Sequence, residues 1–328
     1  MADIITSITK SSASGLHTTL QNYCDAKLLS NMKDVLVYWQ NAVHRPLPKG
    51  NGKIVEFWKY GKLAAVTTAL TEGEVPTAQT YTQSKLTATV SSYGAYIATT
   101  DMLEMTAINF QMKHLTDMLS NQAALSLDTL VRETMATTTN ILYSGGKTAR
   151  NALTAAADYL TVADIRKGVR ILEKKGAPKF NRGGKGFYKC IVGPDAKYAL
   201  QSDTLWQDVS KYQQAEKIEN GEIGKLFGVI FIETSNNKIA TAGGAASTSG
   251  GSDNADVDIT FMFGDESYAT VDLGEAGANA HIIAKNAGSA GTADPLNQAA
   301  TIGWKIDGMK TIILNNDWLL RIESAVKA

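Results

Sequence analysis

The stretch INFQMKHLTDMLSNQAALSLDTLVRETMATTTNIL, residues 108–142, carries the longest regular pattern in the chain. It contains neither glycine nor proline, the two residues that most often interrupt a helix. About thirty residues at a rise of about 1.5 Å each give a rod on the order of 50 Å. We therefore predict a long helix that serves as a spine for other parts of the chain. Its apolar stripe, at the spacing of one helix face, comprises Ile108, Met112, Leu115, Leu119, Ala123, Leu127 and Leu130.

Two strand-like segments precede this spine and are joined by a long polar loop. Residues 53–70 hold β-formers among charges, and residues 85–99 alternate apolar and polar side chains with the period of a half-buried strand. The loop, LTEGEVPTAQTY at 70–81, is too long for a two-residue hairpin turn. Long loops without structure of their own are usually functional or disordered. The pattern predicts an extended hairpin.

The first fifty residues give mixed signals. Some helix is indicated by apolar residues at helical spacing, and HRPLPKGNG (44–52), with two prolines, is expected to end all regular structure. This favours an arm over a separate domain. The residues at helical spacing are Leu28, Met32, Val35, Leu36 and Trp39.

Helix signals return after the spine. TVADIRKGVRILEKKG (161–176) begins with Thr161 and Asp164 at capping-box spacing and ends at its final glycine. PDAKYALQSD (194–203) predicts a second helix, with Pro194 at the tolerated first position.

Strand signals alternate with these helices. FYKCIVG (187–193) and KLFGVIFIET (225–234) are each predicted as one buried strand. Residues 235–257 are mostly glycine, alanine, serine and threonine, and predict a flexible insertion or a surface excursion. The chain from residue 258 onward is rich in strand patterns. The region after the spine therefore predicts an α/β body followed by returning strands.

The composition limits the function classes. The chain has 328 residues, 44% of them hydrophobic, and a formal net charge of zero, which gives no general reason to expect a nucleic-acid binder. Cys24 and Cys190 exclude a disulfide framework, leave one disulfide as an open alternative, and favour a reducing compartment. The first residues lack the apolar core of a secretory signal, and no apolar run is long enough to cross a bilayer. A soluble intracellular chain is expected.

No catalytic or metal-binding constellation emerges from the residues. The four histidines are scattered, and Asp253, Asp256 and Asp258 are expected to be solvated loop acids because the glycine and glutamate of a Ca²⁺ loop are missing. Residues 164–189 hold nine basic residues against two acids. This segment offers non-specific phosphate contacts as one interpretation and a solvated helix face with a basic loop as the favoured one.

The order of parts, from arm and long hairpin through spine helix and α/β body to returning strands, resembles the major capsid proteins of tailed bacteriophages. These have the Hong Kong 97-type fold, which encapsulins and herpesvirus shells share. Several stretches resemble the capsid family typified by phage N4, and the resemblance extends from about residue 20 to the end. They are LTEGEVPTAQTY (70–81), ALSLDTLVRETM (124–135), LTVADIRKGVRILEKKGAP (160–178), LQSDTLWQDVSKYQQAEKIENGEIGKLFGVIFIETSN (200–236) and GWKIDGMKTIILNNDWLLRIE (303–323).

The resemblance implies an α+β chain with the Hong Kong 97-type capsid fold and five parts. These are an N-terminal arm (1–48), an extended E-loop hairpin (49–100), the spine helix of the peripheral P-domain (101–145), an α/β axial A-domain (146–262, with the insertion 235–257) and the C-terminal strands of the P-domain (263–328). The E-loop tip would contact the adjacent subunit, since a polar hairpin end buries little surface within its own subunit. The implied tip residues are Glu72, Gly73, Glu74, Val75 and Pro76.

The implied function is assembly. Copies would form hexamers and pentamers that close into an icosahedral shell around double-stranded DNA, without sequence-specific binding. The first hundred residues leave no room for a long cleaved scaffolding segment, so a separate scaffolding protein is expected, with a portal and a decoration protein as further candidate partners. No cofactor, metal, membrane or enzymatic activity is expected. The protein would be assembled in the host bacterial cytoplasm and reside in the virion.

Two alternatives remain open at this point. An encapsulin-like compartment would hold cargo enzyme in place of a genome. An α/β enzyme with a hidden active site is a rival that the long spine and hairpin disfavour.

Some proteins of the wider fold crosslink through Lys–Asn bonds. Lys62 and Lys85 lie in the hairpin, but no matching acid and acceptor pattern accompanies them, so no crosslink is predicted.

Overall fold

The computed structural model describes residues 36–48, 52–61, 63–73, 75–100, 102, 112–155, 157–182, 184–207, 222–245, 254–273, 280–285, 296 and 298–326. Within these residues the chain is α+β. The helices are α1 (Val37–Gln40), α2 (Met112–Met135), α3 (Val162–Lys174) and α4 (Pro194–Gln201). The strands are β1 (Val43–Leu47), β2 (Ile54–Tyr60), β3 (Gln83–Thr89), β4 (Ser91–Thr100), β5 (Ile141–Tyr143), β6 (Phe180–Arg182), β7 (Lys185–Val192), β8 (Glu222–Leu226), β9 (Val229–Glu233), β10 (Lys238–Ala240), β11 (Val257–Phe263), β12 (Tyr268–Leu273), β13 (Ala280–Lys285), β14 (Ala299–Ile313) and β15 (Leu319–Ala325).

The described strands form two sheets and a separate hairpin. The smaller sheet has the order β1-β12-β14-β13, with β4 also paired to β14. The larger sheet has the order β5-β15-β11-β7-β9-β8, with β10 on β11 and β6 on β7. Strands β2 and β3 pair only with each other. The last strand, β15, joins the larger sheet between β5 and β11, so the C-terminal segment is divided between the two sheets.

The spine helix α2 packs its apolar stripe against the smaller sheet. Leu119, Ala123 and Leu127 are fully buried, as the helical spacing predicts. Trp304 of β14 packs in the same core and donates from its indole Nε1 to Oε1 of Gln122 at 3.1 Å. The helix is therefore fixed to the sheet by burial and by a hydrogen bond. Met112 begins the described helix, and Ile108 lies outside the described residues.

The predicted end of the spine at residue 142 is wrong. Helix α2 ends at Met135, and β5 begins six residues later at Ile141. Three consecutive threonines cause the break, because β-branched side chains lose rotamer freedom in a helix and their hydroxyls compete for backbone partners. Thr137 Oγ1 donates to Thr134 O at 2.7 Å, and Thr138 Oγ1 donates to Asn316 Oδ1 at 2.6 Å.

The expectation that residues 44–52 break all regular structure is also wrong. Strand β1 includes Pro46 and pairs in parallel with β12. Proline is tolerated there because β1 is an edge strand, where one row of backbone groups needs no ladder partner. Tyr38 of α1 is fully buried in the same core as α2 and accepts, through its carbonyl, a 2.7 Å hydrogen bond from the hydroxyl of Tyr268. The segment from residue 36 to 47 is thus part of the folded body.

The predicted starts of both helices are confirmed. Thr161 accepts from the backbone N–H of Asp164 and donates its hydroxyl to Asp164 Oδ2 at 2.8 Å, which closes the N-terminus of α3. Helix α4 begins at Pro194. These local signals depend on side chains within one turn, so the sequence alone was sufficient.

The segment KLFGVIFIET is a hairpin and not the single strand predicted. Strands β8 and β9 pair antiparallel around a turn at Phe227 and Gly228. Both residues have positive φ, 50° and 76°, as a two-residue hairpin turn of the primed type requires. A glycine between two apolar runs was the signal for this turn. Strand β9 pairs in parallel with β7, as expected for an α/β body.

The ends of the segment 235–257 are integrated into the larger sheet. Lys238–Ala240 pair antiparallel with β11, and Gly244 N–H donates to Ala255 O at 2.8 Å. The prediction of a flexible insertion is therefore wrong at both ends of the segment, and residues 246–253 lie outside the described residues. Asp258 is also not a solvated acid. It is 1% exposed and accepts a short hydrogen bond from Asn237 Nδ2.

Two buried aspartates connect the spine to the larger sheet through adjacent asparagines. Asp128 of α2 accepts from the backbone N–H groups of Tyr38 at 2.7 Å and Trp39 at 3.2 Å, and from Asn236 Nδ2 at 3.2 Å. Asn237, the next residue, binds Asp258 of β11. Burial, opposed by these hydrogen bonds, raises the pKa of Asp128 and of Asp258 to about 6.

Asp258→Asn is expected to gain stability relative to the wild type as pH rises from about 4 to 7. The folded-state pKa lies above the ordinary value of 3.8, so the folded wild type binds the proton more tightly and loses stability as pH rises through that window. At about 1.36 kcal/mol per pKa unit the relative change is on the order of 2–3 kcal/mol. Asparagine keeps one side-chain oxygen to accept from Asn237 Nδ2 and removes the titrating proton. Urea unfolding at several pH values measures the difference, and parallel profiles would contradict the assignment.

Candidate assembly interface

The hairpin β2–β3 is anchored to the body by one of its faces. Its register pairs Ile54 with Thr89 and Tyr60 with Gln83. Ala88 is buried in a small cluster with Leu47 and Val271, and Val55 and Phe57 pack against that cluster. Farther along, Lys59 Nζ donates to Oδ1 of the buried Asn315 at 2.9 Å. The base of the hairpin is thus held by apolar burial and a hydrogen bond.

The opposite face of the hairpin is apolar and exposed. Ile54, Trp58 and Tyr60 alternate along β2 on this face and are 55%, 52% and 63% exposed. Lys85 lies across from Trp58, forms an ion pair with Glu56, and places its ammonium 5.8 Å from the Trp58 ring centroid. Lys62 lies outside the described residues. The ion pair lies at a solvated position, and the aromatic side chains of this face are more than half exposed.

Beyond the paired strands, the whole described loop is exposed. Every described residue from 58 to 85 falls in the exposed class, including Glu72, Gly73, Val75 and Pro76. Val75 is 95% exposed, and Gly73 adopts a φ of 85° in a turn that suits glycine. Glu74 lies outside the described residues. Additional exposed apolar residues of the loop are Leu63, Val66, Leu70 and Tyr81.

This concentration of exposed apolar side chains indicates a surface that another molecule covers. Monomeric proteins rarely leave contiguous apolar patches of this kind, because each uncovered side chain forfeits the free energy of burial. The sequence pattern pointed to the tip and missed the β2 face. The signal for that face was the alternation of Ile54, Trp58 and Tyr60 with the anchoring residues Val55 and Phe57.

The residues considered for other chemistry do not come together. No group of three His, Cys, Asp or Glu side chains that would hold a metal ion occurs among the described residues. Cys190 is a buried free thiol whose pKa is raised by burial, and Cys24 lies outside the described residues. The helices of the described part include none with the length and hydropathy of a membrane span.

The basic segment 164–189 largely makes contacts within the protein. Lys167 pairs with Asp164 at 3.0 Å, and Lys179 pairs with Glu173 at 2.8 Å. Lys189 lies 4.2 Å from the Phe180 ring centroid. These contacts favour the interpretation as a helix face with a basic loop. They disfavour the interpretation as a phosphate-binding surface.

Comparison with solved structures identifies the fold. The capsid of Ralstonia phage GP4 matches with a TM-score of 0.66 at 15% sequence identity, with 88% of each chain covered. The capsid asymmetric unit of cyanophage Pam1 matches with a TM-score of 0.61 at 15% identity, covering 88% of this chain and 90% of that chain. The virus-like particle from Pyrococcus furiosus matches with a TM-score of 0.51 at 8% identity, covering 92% of this chain and 99% of that one.

The chain therefore has the Hong Kong 97-type capsid fold, as predicted from the sequence. No protein-family model matches the sequence, and no curated protein matches it.

Proposed function

We propose that this chain is the major capsid protein of a tailed bacteriophage, which assembles as hexamers and pentamers into an icosahedral shell around double-stranded DNA. One observation carries the proposal: within a fold shared with phage capsids, a long hairpin leaves its tip and one apolar face exposed. Such a surface needs a partner, and repeated copies of one chain supply it when heterologous contacts close with symmetry. The proposal places the protein in the virion after assembly in the host cytoplasm.

The division into parts follows the same proposal, with one amendment. Residues 49–100 act as the E-loop, residues 101–145 with the C-terminal strands of 263–328 form the P-domain, and residues 146–262 form the A-domain. The arm proposed for residues 1–48 is shorter at its C-terminal end, because Tyr38 is buried in the body. The stretches quoted above motivate membership of the capsid family typified by phage N4. A separate scaffolding protein, a portal and a decoration protein are the proposed partners, and no cofactor or catalytic residue is assigned.

An encapsulin-like compartment is the second candidate. It is favoured by the likeness to the virus-like particle from Pyrococcus furiosus, although that TM-score is lower than those of the two phage capsids. The two candidates share the shell and differ in its contents. Portal and terminase genes beside the coding sequence support the phage capsid, while a neighbouring cargo enzyme supports the compartment.

Electron microscopy tests the proposal directly. The protein is expressed alone and together with the products of its neighbouring genes, and negatively stained fractions are imaged. Closed angular particles, or isolated hexamers and pentamers, are the expected result. A uniform small oligomer under every condition would contradict a capsid role and favour an enzyme of the same fold.

A further inference from the structure

The loop of residues 234–238 is attached both to the spine helix and to the larger sheet. On the side of α2, Arg132 Nη1 donates to Asn236 Oδ1 at 2.8 Å and to Asn237 O at 3.2 Å. On the side of the sheet, Asn237 Nδ2 donates to Asp258 Oδ1 of β11. Two successive asparagines therefore hold the spine helix and the larger sheet together through their side chains.

The contact between Asn237 and Asp258 leaves one oxygen unused on each side chain. Asn237 Oδ1 and Asp258 Oδ2 are both buried and make no hydrogen bond to any described residue. Buried acceptors without a partner are unfavourable, and these two cannot satisfy each other because neither carries a hydrogen. The amide is also confined, since a Cβ at Gly193 would overlap Asn237 Nδ2. One proton on Asp258 would supply the hydrogen bond that both side chains lack.

The surroundings of Asp258 favour its protonated form. Burial is the main cause that raises the pKa of Asp258 to about 6, and the Asp195 carboxylate of α4 adds to this effect. The Asn237 amide and the nearby backbone N–H groups of Ala196 and Ile259 act in the opposite direction. Burial outweighs them, because a charge loses its hydration when it leaves water.

The other titratable groups on neighbouring elements are neutral or paired. Tyr38 of α1 is fully buried, and burial above all raises its pKa well above the ordinary value, so it carries no charge. The charged groups pair as Lys238 with Glu133, Lys197 with Glu233, and Glu323 with Arg150 and Arg321.

We propose that Asn237 and Asp258 form a proton-binding pair, and that the proton tightens the attachment of the loop 234–238 to the larger sheet. The proton comes from solvent, resides on Asp258 Oδ2 and is donated to Asn237 Oδ1, while Asn237 Nδ2 still donates to Asp258 Oδ1. Asp128, at the other end of the loop, lacks this property because both of its oxygens already accept hydrogen bonds. The inference concerns the folded subunit and does not rest on the proposed shell function.

Hydrogen exchange of the loop amides tests this pair. Mass spectrometry follows exchange at pH 5 and pH 7.5, corrected for the intrinsic effect of pH, and light scattering verifies the same assembly state at both. An opening that returns Asp258 to its ordinary pKa of 3.8 becomes about tenfold rarer at pH 5 than at pH 7.5, because the closed form binds the proton more tightly. Equal protection of the wild-type loop at the two pH values would overturn the proposal.

Two matched variants assign the effect to Asp258. Asp258→Asn is expected to protect the loop equally at both pH values, because its amide N–H takes the place of the added proton. Asp256→Asn is the control, since Asp256 is exposed and accepts from the backbone N–H of Ala242 at 2.8 Å. It should keep the tenfold dependence. A dependence that survives in Asp258→Asn, or is lost in Asp256→Asn, would assign the proton to another group and contradict the pair.

Infrared spectroscopy identifies the partner of the proton. At pH 5, the spectrum of the wild type minus that of Asp258→Asn isolates the C=O band of the Asp258 acid. Asn237→Leu has a side chain of similar shape without the accepting oxygen. In that background the same difference band is expected at higher frequency, because the acid has lost its hydrogen bond. An unchanged frequency, or the absence of an acid band in the wild type at pH 5, would refute the pair.

Discussion

Leu125→Pro is expected to abolish folding, although the side chain that it replaces is not part of the core. Leu125 lies in the middle of α2 and is 48% exposed, so the loss of its side chain matters little. A proline inside a helix removes a hydrogen bond and clashes with the preceding turn, at a cost of about 3 kcal/mol or more. The helix also fills the core of the smaller sheet, so a kink would displace Leu127 and Ala123 from their packing. Circular dichroism and urea unfolding of the purified subunit measure the effect.

Leu125→Ala is the matched control for this prediction. Alanine is the most favourable residue in a helix, and the substitution leaves the backbone hydrogen bonds in place. Its unfolding free energy is expected to stay within about 1 kcal/mol of the wild type, since half-exposed positions contribute modestly. A folded Leu125→Pro protein with wild-type helix content would show that α2 is not the structural spine.

Replacement of Glu72–Pro76 by a short Gly-Ser segment is expected to abolish shells and leave the subunit folded. The described residues of this tip are exposed and contribute no burial to the body, so the melting temperature should not change. If the tip contacts a neighbouring copy, the replacement removes this contact from every repeated interface of the shell. Thermal unfolding reports on the subunit, and sedimentation with electron microscopy reports on the particles.

Two point variants sharpen this experiment. Val75→Ser removes one exposed apolar side chain from the tip, and Ile239→Ser removes one from the larger sheet. We expect fewer particles from the first variant and normal particles from the second. Normal particles from the Gly-Ser replacement would show that the tip has no role in assembly.

The sequence was most informative where a structural signal lies within one or two helical turns. The stripe of α2, the N-terminal cap of α3 and the start of α4 at Pro194 depend on neighbouring residues, so their patterns could be interpreted directly. The end of α2 was missed because Thr138 finds its partner in Asn316, which is remote in the sequence. Strand β1 was missed for a similar reason, since Pro46 is tolerated only because β1 lies at a sheet edge.

The candidate interface shows the same division between local and remote information. An exposed tip could be predicted from the polar, glycine- and proline-containing loop, and its contact with a partner stays a prediction. The exposed row of Tyr96 and Ile283 on either side of Gly303 could not be predicted, because these residues become neighbours only through the pairing of three strands. Asp258 was misjudged because its burial comes from the sheet that surrounds it, and not from its glycine- and serine-rich sequence context.

The position of β15 has a consequence for folding during synthesis. This strand follows every other strand of the larger sheet in the sequence, yet it lies between β5 and β11. A ribosome-bound chain that has not yet exposed residues 319–325 therefore cannot complete that sheet. Until then, β5 and β11 lack the strand that pairs with both of them. The hairpin, in contrast, is translated early and pairs only with itself. A growing chain would thus expose the apolar face of the hairpin before the larger sheet is complete.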